Sequence, residues 1–245
     1  MPASATLAAL ELRPLSARSL VLSLLLGSHP AQRPVRELVA LVGELGVSET
    51  TLRVALSRLV AAGDLEREEG SYRLSPRLLE RQRRQDAALT PQTHDDAGHW
   101  AMVVVTTQGR DPARRQELRR ELSGQRLAEL REGHWLRPDN LTLELSDQLR
   151  SETTRFRAVP DGDPGELLHR LWDLDAWRDR GHLLLDHFES DAEPLTRITV
   201  AAAIVRHLFA DPILPAHLTP ADWPAQALRA GYADYRARAY GQWMP

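Results

Sequence analysis

The stretch GVSETTLRVALSRLVAAGDLEREEGSYRLS, residues 46–75, constrains this chain more than any other. Gly46 and Val47 read as a turn. Ser48 is a helix cap, Glu49 complements the dipole in the first turn, and Gly63 stops the helix just after Ala62. LEREEGSYRLS then gives two short strands around a Gly-containing turn, which is a hairpin. Upstream, Ser16 caps a helix over 17–26 that is apolar almost all round and is therefore expected to be buried. Pro34 opens a further helix over 35–45, where Leu38, Leu41, Val42 and Leu45 recur at helical spacing. Helix, turn, helix and hairpin follow one another in the order of a winged helix-turn-helix, whose second helix fits the major groove of DNA.

A helical wheel over 48–62 separates two faces. Leu52, Ala55, Leu56, Leu59 and Val60 turn inward, and Thr50, Arg53, Val54, Ser57 and Arg58 turn outward. Arginine, serine, threonine and a small apolar side chain are groups that reach bases, phosphates and thymine methyls. Ser48 and Thr51 at the helix start, and Arg67 and Arg73 beside the wing, complete the expected DNA-contacting set. On a lone helix, Arg53 and Arg58 would be ordinary solvated charges. Here the cap, the turn, the preceding helix and the hairpin all agree with the DNA reading. Glu66, Glu68 and Glu69 oppose it at the wing tip, because they repel phosphate.

Beyond this block, Ser75 and Pro76 restart a helix over 77–85, and the polar segment 86–98 reads as a linker. A Val-rich buried strand over 100–108 follows. Residues 112–131 read as one amphipathic helix with Leu118, Leu122, Leu127 and Leu130 on its apolar side. HWLRPDNLTLEL gives one or two short strands broken at Pro138, and 153–159 alternates as another strand. Helices are expected over 167–180, 196–210 and 221–239. The expected fold class is α+β and multidomain: a winged helix-turn-helix over 1–90, a small α/β domain over 98–178 and a helical domain over 179–245.

Charge is compatible with this division. Residues 1–90 hold twelve Arg against ten acidic residues, and the remainder nineteen against twenty-four, within a net charge of -3. A mildly basic front on an acidic body fits a small DNA-contacting module. Cysteine is absent, which excludes disulfides and thiolate metal sites and suits a cytoplasmic protein. The longest apolar run, 20–27, is too short to span a bilayer, and no basic flank marks it as a secretory signal.

The block RSLVLSLLLG…VRELVALVGELGVSETTLRVALSRLVAAGDLEREEGSYRLS, then REGHWLRPDN, LWDLDAW and ADPILPAHLTPADWP, resemble in order the PaaX family of bacterial transcriptional repressors. The resemblance implies a ferredoxin-like, Cas2-like middle domain and a helical C-terminal domain. It also implies a homodimer that represses a catabolic operon, for phenylacetate or related aromatics. The implied effector that releases DNA is an aryl-coenzyme A thioester, phenylacetyl-CoA or another acyl-CoA.

A Cas2-like nuclease needs a carboxylate at the end of its first strand to hold Mg²⁺, and Val103 to Gln108 offers none. His182, Asp186, His187 and Glu189 lie close together, but their spacing fits a polar helix face better than a metal site. No catalytic residue, cofactor or metal site is therefore expected. A CoA thioester needs cations for its phosphates and an apolar slot for its acyl group. Trp135, Arg137, Asn140 and Trp172 are the expected effector-binding residues, with Trp177 nearby. For each Trp, plain core packing is the competing reading, and for Arg137 a pair with Asp139. The functional alternative is a catalytically inert, Cas2-like interaction protein with a vestigial helix-turn-helix.

Overall fold

The computed structural model describes residues 3–107, 109, 111–188 and 193–241. It divides into two compact units, Met1–Thr90 with Arg180–Phe209 and Pro224–Pro245, and Pro91–Asp179 with Ala210–Trp223.

The first unit begins with α1 (Ala3–Ala9), which the sequence reading did not anticipate, and α2 (Ala17–Gly27). Ser16 caps α2 as expected, its hydroxyl accepting from the Ser19 N–H. Then come β1 (Gln32–Pro34), α3 (Val35–Glu44), α4 (Glu49–Ala61), β2 (Leu65–Glu68), β3 (Ser71–Leu74) and α5 (Pro76–Leu89). The strands form an antiparallel sheet in the order β1-β3-β2. The expected linker over 86–98 is shorter than it looked, because its first residues complete α5.

The second unit contains β4 (Trp100–Val105), α6 (Pro112–Gly124), β5 (Ala128–Arg131), β6 (His134–Pro138), α7 (Asp147–Glu152), β7 (Thr153–Ala158) and α8 (Pro164–Leu171). Its sheet has the order β5-β6-β4-β7, with every neighbouring pair antiparallel. That βαββαβ topology is the expected ferredoxin-like arrangement. One sheet face packs Val103 and Trp135 against Leu118 and Leu122 of α6 and Leu149 of α7. The other packs Trp100 and Leu136 against Leu168, Leu174, Leu214 and Trp223.

Two expected helices prove to be divided. Residues 112–131 are not one helix: α6 stops at Gly124, Arg126 takes φ 62, and 128–131 is strand β5. Leu127 and Leu130 matched the helical period by coincidence and pack on different sides of the sheet. Residues 167–180 split between α8 and α9 (Leu174–Phe188), where Asp173 accepts from the Ala176 N–H at 3.0 Å to start the new helix. Gln108, placed at the end of the first strand, lies outside the described residues.

The chain ends with α10 (Pro194–Leu208) and α11 (Ala225–Gly241). They do not form a separate domain over 179–245 beside a middle domain of 98–178. Both belong to the first unit, while 210–223 belongs to the second. The reason is burial. Ile198, Thr199, Val200, Ala201, Ala203, Ile204 and Val205 are all buried, and a helix so apolar needs cover on several sides. Ile198 joins the cluster that contains Leu52, Leu56 and Leu59 of α4. Gly181 of α9 also meets the start of α11 closely: a Cβ there would fall 2.5 Å from Cγ of Pro224, just before the helix, and 3.4 Å from Leu228 Cδ1 within it.

Burial pushes the hydroxyls of Tyr232 and Tyr235 on α11 above the ordinary phenol range. A raised folded-state value means stability that is complete below the unfolded phenol's pKa of about 10 and is lost as pH rises above it. Tyr235→Phe should therefore flatten the decline of melting temperature above pH ~10. Arg137, whose guanidinium is pushed down to about 10 by burial, acts oppositely in the same window, so the quantity to measure is the difference between wild type and variant. Equal slopes would refute the tyrosine contribution.

Candidate nucleic-acid interface

The reading helix is built from its cap outward. The Ser48 hydroxyl accepts from the Thr51 N–H at 3.3 Å, and the two hydroxyls lie 2.9 Å apart. Ser48 and Thr51 are thus exposed but already engaged in fixing the start of α4. Leu52, Ala55, Leu56 and Leu59 are buried beneath it. Val60 was expected inward and is 38% exposed, because the helix is covered only along the Leu52–Leu56–Leu59 line at its end.

Thr50, Arg53, Val54, Ser57 and Arg58 are all exposed. Val54 is 46% exposed, an apolar group on the outer face of a helix where only a partner would give it cover. Arg53 pairs with Glu49 one turn back, at 2.6 Å. Such a surface pair is worth about 0.3–0.5 kcal/mol. A bidentate base contact is worth about 1–3 kcal/mol, so DNA would win Arg53 from Glu49. Arg58 forms no ion pair among the described residues.

The wing turns at Glu69 and Gly70, with φ 43 and 81, between the paired residues Glu68 and Ser71. Left-handed geometry at both positions is what a two-residue hairpin of matching twist requires. Arg73 is held by Glu66 at 2.7 Å and by Glu68 at 3.5 Å. Arg67 is exposed, and no ion pair engages it among the described residues. Of the wing cations, Arg67 is the one ready for a phosphate.

Sequence reading missed the latch that fixes this module. Asp64, just past α4, is 3% exposed. It accepts from Arg18 of α2 at 2.6 Å and from Arg77 of α5. Its backbone carbonyl accepts from the Ser75 N–H at 3.0 Å. The end of the reader, the end of the wing and two supporting helices meet at this carboxylate.

The expected effector residues all lie in the second unit. Trp135 is in the core. Arg137 is 1% exposed and donates to the carbonyls of Pro138 and Leu141. Burial, opposed by Asp139, pushes its guanidinium down to about 10. Asp139 instead pairs with Arg155 at 3.4 Å and Arg157 at 3.0 Å. Asn140 donates to the Ile213 carbonyl at 2.9 Å. Trp172 is half-buried against Leu168 and Leu174, and Trp177 stacks on Trp223 with centroids 4.2 Å apart.

Of the His/Asp group on α9, Glu189 lies outside the described residues. Among those described, no cluster of His, Asp or Glu is arranged to hold a metal ion. No helix of the described residues is long and apolar enough to cross a membrane.

The fold and the capped, outward-facing reader define a transcription-regulator architecture, a winged helix joined in one chain to a ferredoxin-like unit. The family model described as PaaX-like protein matches residues 16–78, and that of the PaaX protein central Cas2-like domain matches residues 93–158. The chain belongs to the PaaX family of transcriptional regulators. Its middle domain is Cas2-like. The uncharacterized protein Rv0674 from Mycobacterium tuberculosis is similar over 93% of this chain and 97% of its own, with 48% identity and a TM-score of 0.82. None of the curated proteins matches the sequence.

Proposed function

We propose that this chain is a repressor of a catabolic operon, for phenylacetate or related aromatics, and that it binds an inverted-repeat operator as a homodimer. Release follows binding of an aryl-CoA thioester, phenylacetyl-CoA or another acyl-CoA. The observation that carries the DNA part is the outer face of α4, where Thr50, Arg53, Val54, Ser57 and Arg58 are all exposed on a helix that buries Leu52, Ala55, Leu56 and Leu59 on its other side. Family membership supports the regulatory part.

Gel-shift titration against the upstream region, repeated across salt concentrations, tests it. Arg58→Ala should weaken binding by about 1–3 kcal/mol if it reads a base. Arg67→Ala should weaken all sequences alike and reduce the slope of log K against log salt by about 1. Wild-type affinity in both variants would remove α4 and the wing as the DNA-contacting surface.

One observation favours the alternative of an interaction protein with an idle reader: Glu66 and Glu68 neutralise Arg73 and leave the wing acidic. Under that alternative, binding to the upstream region would be no tighter than to unrelated DNA.

A further inference from the structure

We propose that a cavity within the first unit binds the oxyanion head, carboxylate or phosphate, of a small-molecule ligand. The cavity has a volume of about 70 Å³ and is walled by α2, α5, α10 and α11. Arg81 and Arg206 line it together with Gln85, Ile198, Tyr232 and Tyr235, and no Asp or Glu of the described residues does.

The charges there are unbalanced. Neither Arg81 nor Arg206 makes an ion pair among the described residues. Arg81 and Arg206 both remain exposed to solvent; loss of part of the water around Arg206, and then the nearby guanidiniums of Arg81 and Arg180, hold it below the ordinary arginine range. Arg236 lies close enough to act on Tyr232. An opposing charge, Asp86, also acts on Tyr232 but is tied to His29 at 3.0 Å. In a chain of net charge -3, acidic partners are plentiful, yet these cations have none. An oxyanion would relieve their repulsion and take charge-assisted hydrogen bonds from both. The raised tyrosine hydroxyls stay protonated and are available as donors. Ile198 and the tyrosine rings supply an apolar wall. The volume is below the roughly 150 Å³ that holds benzene, so the cavity takes the head and first atoms of a ligand whose remainder stays outside.

The wall is continuous with the DNA reader. Gln82 of α5 donates to the carbonyls of Leu25, Leu26 and Ser28 at the end of α2, and α2 shares its apolar cluster with α4. Occupancy therefore bears on the elements that hold α4, a consequence that rests on the regulatory reading above.

The test is thermal melting of the full chain with benzoate, phenyl phosphate and the neutral isostere benzamide. An anion that binds raises the melting temperature by about 5 °C at roughly a hundred times its Kd. A shift with benzoate alone assigns a carboxylate head, and a shift with phenyl phosphate alone assigns a phosphate. Arg81→Gln with Arg206→Gln should abolish the shift, while Arg84→Gln, on the same helix but outside the cavity, should keep it. Arg206→Gln alone should weaken binding about tenfold, which keeps the test open if the double variant does not fold. An equal shift with benzamide, a shift that survives in a folded double variant, or none with either anion overturns the site. Operator titration with the binding anion then separates the two claims. Unchanged DNA affinity supports the site and removes its regulatory consequence, whereas absence of binding leaves the DNA assignment untouched.

Discussion

Asp64→Ala is expected to destabilise the first unit by about 2–3 kcal/mol and to abolish operator binding near the new melting temperature. The carboxylate is 3% exposed and accepts from two arginines on different helices. Arg18 and Arg77 are themselves 56% and 71% exposed, so water can replace the acid as their partner. The cost arises instead from lost charge-assisted bonds and from the gap left under the end of α4. That places the estimate below the about 3–5 kcal/mol of a fully buried pair. Arg18→Ala removes only one bond to an acid that keeps Arg77, and should cost under about 1 kcal/mol. Denaturant melts of both variants decide the matter. A loss for Asp64→Ala no larger than that for Arg18→Ala would show the latch to be ornamental.

What could be read from the sequence was what lies within one element or one turn. Ser48, Glu49 and Gly63 announced α4 because caps act over a few residues. The wing followed from Gly70 and its flanking alternation. Asp64 was silent because its partner Arg18 is 46 residues away, and no local pattern encodes such a pairing. The same holds for the cavity, whose wall is assembled from α2, α5, α10 and α11, segments far apart in the chain. Val60 was misplaced because a wheel describes the whole helix, whereas cover is local. Trp135 and Arg137 drew attention as a ligand-binding pair. Both side chains also serve in a core, where the carbonyls of Pro138 and Leu141 accept from the two Nη groups of Arg137 while its buried Nε has no partner among the described residues.

No carboxylate stands in the end of β4, but Glu152 lies beside it, its carbonyl accepting from the Thr106 N–H at 2.9 Å. The cation near those carboxylates is built into the chain. Arg114 of α6 donates from Nε to both oxygens of Glu152, at 3.0 and 3.1 Å. From Nη1 it reaches Glu117 at 2.8 Å and Glu121 at 3.1 Å.

Arg114→Ala should therefore cost the second unit about 3 kcal/mol, because it leaves three carboxylates facing one another with no counter-charge. Arg114 is 12% exposed and Glu152 16%, so solvent screens this site less than it screens Arg53 or Arg73. Hydrogen bonding to Glu152 holds Arg114 above the ordinary arginine range, so at any pH where the unit is folded the cation is present. Adding Glu152→Gln to the variant should recover more than half of the loss, a coupling that a pure cavity effect would not produce. Additive losses in the double variant would mean that Arg114 contributes packing alone.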